Sequence, residues 1–365
     1  MITIRELDRS YNDQMLEILA ASPMKTPVIE ISFDRSPNLF LLNELWSQDY
    51  RYYGVFVSNK LVGFGKHLQY QGYFNETEHT LSYFGDFCIV PRERGKGYYK
   101  QLVEYMISTC LQKKSIGYTV IFEGNKKADS YFSNHRYRNI PGFRKLSPTL
   151  TRTLLITGRK DFKTDLTIRT AEEGDKKAIL KCVMNEKKDL AQVFDRERFE
   201  KKISGNYGFS IQDYFLAYKA DRLVGICGAW NMKGLKRTRV LRYKKKFLLI
   251  YFIYNLLSKL TGNKGLPRPG RSFNEVYLTD VWVRENDPEI FKALLFDIYK
   301  MARSNGQHLI HYGSTQNDPL LKAFKSFFSV SLKSSVYVSS LHPEKWNSIK
   351  TSLLNTEPHF DITKI

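Results

Sequence analysis

Two stretches of this 365-residue chain repeat each other in order, and that duplication constrains the fold more than any other feature of the sequence. Ile2-Thr3-Ile4-Arg5 and Leu166-Thr167-Ile168-Arg169 open the two copies as short strand-like runs. After Asp13, the residues Met15, Leu16, Ile18 and Leu19 recur at helical spacing, as do Ala178, Ile179, Cys182 and Val183 after Asp175. Next, YGVFVSNKLVGFG (53–65) matches YFLAYKADRLVGICG (214–228). In each, short polar turns at Ser58-Asn59 and Ala220-Asp221 join apolar strands, the pattern of a β-hairpin. FGDFCIV (84–90) then pairs with LTDVWVR (278–284), each an apolar strand holding an aspartate. Last, TVIFEGNKKADSYF (119–132) pairs with LIHYGSTQNDPLLKAF (309–324), a strand running into Asn125 or Asn317 and then a helix.

The offset is 164 at the first match (166 − 2) and 194 at the aspartates (280 − 86), so about thirty residues are inserted in the second copy between Gly228 and Asp280. The pattern predicts a mixed-sheet α/β (α+β) fold of two diverged β-α-β-β-β-α-β-α units, meeting near residues 150–164. The corresponding domains are 1–158 and 159–365, the second carrying the insertion at about 230–272.

Composition removes several classes. Hydrophobic content of 42% and aromatic content of 14% suffice for packed cores. Cys88, Cys110, Cys182 and Cys227 stand singly in apolar stretches, with no CxxC pair, and the histidines show no HExxH spacing. Reduced, buried thiols and no metal are expected. The opening MITIRELDRS lacks the apolar core of a secretion signal, and no apolar run reaches the length of a membrane span, so a cytoplasmic protein is expected. The net charge of +20 suits anionic partners such as nucleotides, CoA, RNA or acidic lipid, or else is a solvated basic surface.

The most informative stretch is DFCIVPRERGKGYYKQLVEYMISTC (86–110). A strand ends at Val90-Pro91, a basic glycine turn follows at Arg92-Glu93-Arg94-Gly95-Lys96-Gly97, and helical period begins at Tyr98. Unpaired N–H groups at a helix start, with the helix dipole behind them, form a site for phosphate. Gly95 and Gly97 let the backbone approach the anion, and Arg92, Arg94 and Lys96 add charge. The turn is neither GxxxxGK[ST] nor GxGxxG.

Arg92-x-x-Gly95-x-Gly97 after a strand resembles the acyl-CoA motif of the GCN5-related N-acetyltransferase (GNAT) family, and the resemblance extends from the 53–65 hairpin to GNKKADSYFSNHRYRN (124–139). It covers about residues 3–155; the second half resembles that fold only. The resemblance implies an N-acyltransferase, in the first instance an acetyltransferase. It would take acetyl-CoA or another acyl-CoA as co-substrate and a small-molecule or peptide amine as acceptor, with direct attack in a ternary complex. It further implies that backbone groups of Cys88, Ile89 and Val90 pair with the pantetheine arm. The 92–97 turn and the first residue of the helix, Tyr98, would hold the pyrophosphate, and Asn125 would face the cofactor near the thioester. Asp86 and Glu123 are the two candidates for general base. The family's acidic tyrosine falls here on Phe132; Tyr131 beside it substitutes only if the helix is slightly rotated or bulged, and water is the alternative.

In the second copy, VWVRENDPEIF (281–291) has no glycine and carries Glu285, Asp287 and Glu289 where phosphate would sit. That copy is expected to bind no CoA and to wall the substrate cleft. The insertion joins a basic block to FLLIYFIYNLL (247–257) and ends in LPRPG, as in some bacterial tandem relatives. Burial of this run between the domains is favoured because it is apolar on nearly every face; a lid over the acceptor and membrane contact through 240–260 are the alternatives. Two other functions compete: an aminoacyl-tRNA-dependent transferase, motivated by the charge but opposed by the intact turn, and a non-catalytic acyl-CoA sensor. Nucleic acid is the less favoured partner.

Overall fold

The structure, a computed structural model, describes residues 1–112, 115–133, 142–184, 188–340 and 358–364. Part of the 124–139 stretch noted above therefore lies outside the described residues. The first half runs β1 (Ile2–Leu7), α1 (Asn12–Ala20), β2 (Met24–Lys25), β3 (Ile29–Asp34), α2 (Leu41–Trp46), β4 (Asp49–Val57), β5 (Lys60–Phe74), β6 (Thr77–Ile89), α3 (Tyr98–Cys110), β7 (Ser115–Phe122), α4 (Lys126–Ser133) and β8 (Arg144–Leu155). The second runs β9 (Thr167–Thr170), α5 (Lys176–Met184), α6 (Arg196–Ile203), β10 (Tyr214–Lys219), β11 (Arg222–Trp230), β12 (Arg237–Tyr243), α7 (Lys245–Leu260), β13 (Glu275–Val283), α8 (Pro288–Ser304), β14 (Leu309–Thr315) and β15 (Ser329–Ser340).

The expected hairpins form, and their turns explain why. Ser58 and Asn59 have φ of 48° and 63°, and Ala220 and Asp221 have 43° and 62°. Two consecutive positive φ angles give the turn whose twist matches that of paired strands. A third such turn, at Asn75 and Glu76, joins β5 to β6.

Twelve strands form one sheet in the order β1-β4-β5-β6-β7-β15-β8-β14-β13-β11-β10-β9. Its centre is an exchange. β15, from the second half, pairs with β7 of the first, and β8, from the first half, pairs with β14 of the second. β8 and β15 also pair with each other. Each half's run of five strands is thus extended by a sixth from the other half. The inter-half face is packed by Trp46, Tyr70 and Tyr83 against Phe209, Tyr214 and Trp230, with Trp46 and Trp230 in edge contact at 6.1 Å. α3 and α4 cover the first half's other face, and α8 the second's.

Exchange makes the halves unfold together. Leu154 on β8 is fully buried in the second half's core, beside Phe291, Leu294 and Ile310. Leu154→Ala should cost about 2–5 kcal/mol. Urea transitions followed by tryptophan fluorescence and by far-UV circular dichroism should both move to lower midpoint by the same amount. Two separated transitions would show that each half folds alone.

The second copy's extra segment supplies β12 and α7. β12 joins β3 and β2 of the first half in a small three-stranded sheet. The expected burial of the 247–257 run is corrected here. Phe247, Tyr251 and Tyr254 face a small cluster around Val240, Tyr243 and Leu266, while Leu249, Phe252, Ile253, Leu256 and Leu260 lie open on the surface. The helix lies over its own insertion and not between the halves, so only one of its faces is covered. Among the described residues, no helix is long and apolar enough to cross a membrane.

Candidate active site

The site begins where two strands part. β6 and β7 run parallel, but their pairing spans only Thr80–Tyr83 against Ser115–Tyr118. Just beyond, β6 carries a bulge: register shifts between Phe64 and Lys66, and Asp86 takes φ of 52°. An extra residue bends the strand and ends its pairing. The second half repeats this device, with Glu275–Tyr277 paired to Leu309–His311 and Asp280 at φ of 49°.

At the mouth of the opening lies the basic glycine turn. A short 3₁₀ turn at Pro91–Glu93 leads to Gly95 and Gly97, with φ of 86° and 84°. Both angles are in the region that side chains resist. A Cβ at Gly95 would meet nothing within 4 Å, and one at Gly97 only the Gln101 amide at 3.9 Å, so the backbone faces open space. Gly97 is also the N-cap of α3 and offers no side-chain cap. The N–H groups of the first turn are therefore available to an anion. Tyr98 itself is buried, and its ring packs into the core beneath α3. α8 in the second half is built otherwise. The Asp287 carboxylate accepts from the Glu289 N–H at 2.8 Å, so that helix start already holds its own negative charge.

The basic side chains divide their work. Lys96 pairs with Glu93 at 2.9 Å on the surface. Arg94 donates its Nε to the Ile89 carbonyl at 2.9 Å and a terminal nitrogen to Ser22 Oγ at 3.3 Å, which fastens the turn to the strand and to the segment after α1. Arg92 is exposed. The Val90 N–H is donated to Val62 O and the Val90 carbonyl accepts from the Glu93 N–H, both at 2.9 Å, while Cys88 and Ile89 pair with β5, so backbone groups throughout the 88–90 stretch are engaged within the protein. The Cys88 thiol is buried, and that burial pushes its pKa up to about 12, leaving it neutral.

Asp86, a candidate base by sequence, sits in a buried cluster that sequence reasoning missed. Arg35, just after β3, grips its carboxylate at 2.6 and 3.2 Å, and Lys66 on β5 reaches it at 3.1 Å as an ion pair without hydrogen-bond alignment. The three side chains are only 11%, 5% and 0% exposed for Asp86, Arg35 and Lys66. Burial opposes ionisation of Asp86, yet Arg35 and Lys66 outweigh it and hold the carboxyl far below the usual range. Burial in turn lowers Lys66 to about 8, against the pull of Asp86. A carboxylate stabilised this strongly is a weak proton acceptor. Its counterpart Asp280 meets the buried Lys202 at 2.6 Å and accepts from the Tyr214 hydroxyl at 2.5 Å. The copy without a glycine turn keeps the same bulge and ion pair, which marks them as parts of the fold.

The remaining candidates are spread along the opening. Glu123 is exposed just past β7, its N–H donated to Lys333 O at 2.8 Å. Asn125 is exposed at the start of α4, where its Oδ1 accepts a long 3.4 Å bond from the Ala128 N–H. Phe132 is buried against Phe143 and Tyr337, whereas Tyr131 turns its ring edge to Tyr99 at 5.5 Å, and Tyr99 meets Phe87 at 5.7 Å. Tyr131 thus joins the aromatic group beside the bulge and the start of α3 with no distortion of α4. On the sheet's other face, a cavity at the strand opening is lined by Tyr70, Tyr83, Tyr118, His359, Asp361 and Lys364. Among the described residues no group of three His, Cys, Asp or Glu side chains stands together as a metal site.

Comparison with known proteins supports the same assignment. Residues 13–135 match the sequence model of the acetyltransferase (GNAT) family. No curated protein sequence matches the chain. Among solved structures, Saccharomyces cerevisiae N-myristoyltransferase with bound myristoyl-CoA superposes with a TM-score of 0.59 at 12% identity, covering 93% of this chain and 82% of that one. A GCN5-related N-acetyltransferase from Sphaerobacter thermophilus gives 0.56 at 11% identity, covering 94% and 96%. A protein from Enterococcus faecalis, described as a probable N-acyltransferase, gives 0.51 at 11%, covering 94% and 73%. At these identities the structural likeness speaks for the fold, and the family model speaks for the sequence. Residues 13–135 thus resemble the acetyltransferase (GNAT) family in sequence, and nearly the whole chain shares the fold of these acyltransferases.

Proposed function

We propose that this protein transfers an acyl group from acyl-CoA to an amine. The observation that carries the proposal is the α3 N-terminus, open and uncapped behind two left-handed glycines, at the mouth of the β6–β7 opening. Residues 95–97 hold the diphosphate, with Arg92 as an exposed cation beside them. The pantetheine arm runs into the opening, where the unpaired edge of β6 beyond Tyr83 offers backbone groups. An amine approaching from the cavity face attacks the thioester carbonyl. The C–S bond breaks as the amide C–N bond forms, the ammonium proton passes to a base, and the departing thiolate takes a proton.

Tyr131 is our candidate donor of that last proton, its ring meeting Tyr99 beside Phe87 at the bulge. The base is better sought in Glu123 acting through water than in Asp86, whose charge is committed to Arg35 and Lys66. Residues 1–158 form the acyl-CoA domain in this proposal. Residues 159–365 form a second domain that walls the acceptor side and has no diphosphate site of its own.

Tyr131→Phe keeps the ring and removes only the hydroxyl. Turnover should fall about 100-fold while acyl-CoA affinity stays within about twofold. Unchanged turnover with a panel of amines would remove Tyr131 from the mechanism. The proposal as a whole is tested by calorimetry with acetyl-CoA and CoA. Micromolar binding followed by thioester turnover supports it, binding without turnover on any amine turns it into a sensor, and salt-sensitive tRNA binding with no CoA binding replaces it.

A further inference from the structure

The outward face of α7 is the largest apolar feature on the described surface that the proposed chemistry does not use. Leu249, Phe252, Leu256 and Leu260 are 69%, 64%, 62% and 76% exposed. Residues 245, 249, 252, 256 and 259 fall on one helical line, so Lys245 and Lys259 bracket the stripe Leu249–Phe252–Leu256 at its two ends. Between residues 247 and 258 the helix has no charged residue. The opposite face, Phe247, Tyr251 and Tyr254, is packed on the insertion, and the Tyr254 hydroxyl donates to Ile156 O, so the helix is held flat against the protein.

Charge decides what this face meets. Residues 231–274 contain twelve lysines and arginines and no aspartate or glutamate. The acidic partners of Arg237, Arg239, Arg242 and Lys244 come from outside, from Asp34 and Glu30 on β3. Lys245, Lys259, Lys264, Arg268 and Arg271 stay exposed around the helix. Two copies meeting through this face would bring two such net-basic segments together, which opposes a homodimer. The helix has 16 residues, about 24 Å, too short to cross the roughly 30 Å of a hydrocarbon core. An exposed apolar stripe with lysines at its ends and no acidic residue of its own suits the headgroup layer of an anionic bilayer. There the leucines and phenylalanine enter the acyl boundary and the ammonium groups meet phosphate.

We infer that α7 is a membrane-docking helix that lays the protein flat on anionic lipid through Leu249, Phe252 and Leu256, with Lys245 and Lys259 on the headgroups. This stands independently of acyl-CoA chemistry. The helix is also linked to the bulge through one small sheet. β12, just before α7, pairs with β3, and Arg35 at the end of β3 holds Asp86 at the bulge.

The test is flotation of the full chain with vesicles of phosphatidylcholine alone or mixed with phosphatidylglycerol. Binding to the anionic vesicles should exceed binding to the neutral ones by about tenfold or more and should weaken with salt. The variant L249E/F252E should lose it while keeping its circular dichroism and its acetyl-CoA affinity, since both positions are exposed and far from the glycine turn in sequence. K245E/K259E should lose the preference for anionic lipid. The inference fails if the full chain does not float with anionic vesicles, or if L249E/F252E floats as well as the parent. It fails equally if the parent is a dimer in solution that L249E/F252E dissociates, which would make the face a contact between copies.

Discussion

Gly97→Glu should abolish acyl-CoA binding, with a loss of at least about 100-fold by calorimetry. Three effects act in one direction. Gly97 has φ of 84°, and a side chain there costs about 1 kcal/mol or more in the left-handed region. The added carboxylate would cap the first turn of α3, filling the N–H groups that the diphosphate needs. Its charge would also repel the ligand. α8 already shows this outcome, with Asp287 occupying its first turn. Asp287→Gly should leave acyl-CoA binding of the whole protein unchanged, because the proposed site is the α3 turn alone. Gly97→Ala separates strain from charge: it should weaken binding by about tenfold and no more. If Gly97→Glu bound acetyl-CoA as tightly as the parent, the 95–97 turn would not be the diphosphate site.

Asp86→Asn should lower stability by about 3–5 kcal/mol, because it leaves Arg35 and Lys66 buried without their counter-charge. The midpoint of urea unfolding should drop well below that of the parent. Adding Lys66→Met should restore part of the loss by removing one of the two stranded cations. The sign with pH follows from the lowered pKa of Asp86. Its contribution is complete above the unfolded value of about 4 and declines as pH falls below that, because the unfolded chain takes up a proton that the folded one refuses. Between about pH 5 and pH 3 the parent should therefore lose stability more steeply than Asp86→Asn. A catalytic base would behave differently. Asp86→Asn would then keep the parent's unfolding midpoint and lose turnover alone.

Much of this architecture is written locally. The duplication, the hairpin turns at 58–59 and 220–221 and the strand–turn–helix at 86–110 each depend on neighbours within about one or two dozen residues. Periodicity and turn chemistry report such neighbours directly. The glycine turn could be found for the same reason, since its conformation and its helix start lie within a few residues of each other.

Four features answered to tertiary structure alone. The exchange of β8 and β15 joins residues far apart in the chain, and two diverged copies carry equivalent strands that fit either sheet, so no local signal chooses the partner. Asp86 reads as a lone strand carboxylate in sequence; Arg35, 51 residues away, and Lys66 across the hairpin make it an ion-pair centre. Tyr131 and Phe132 are adjacent aromatics, and only the seating of α4 on Phe143 and Tyr337 turns the first toward Tyr99 and the second inward. In α7, hydrophobicity all round the helix suggested burial, but a helix is buried only as far as another surface reaches it. The small insertion core around Val240, Tyr243 and Leu266 covers one face and leaves the other to solvent or lipid.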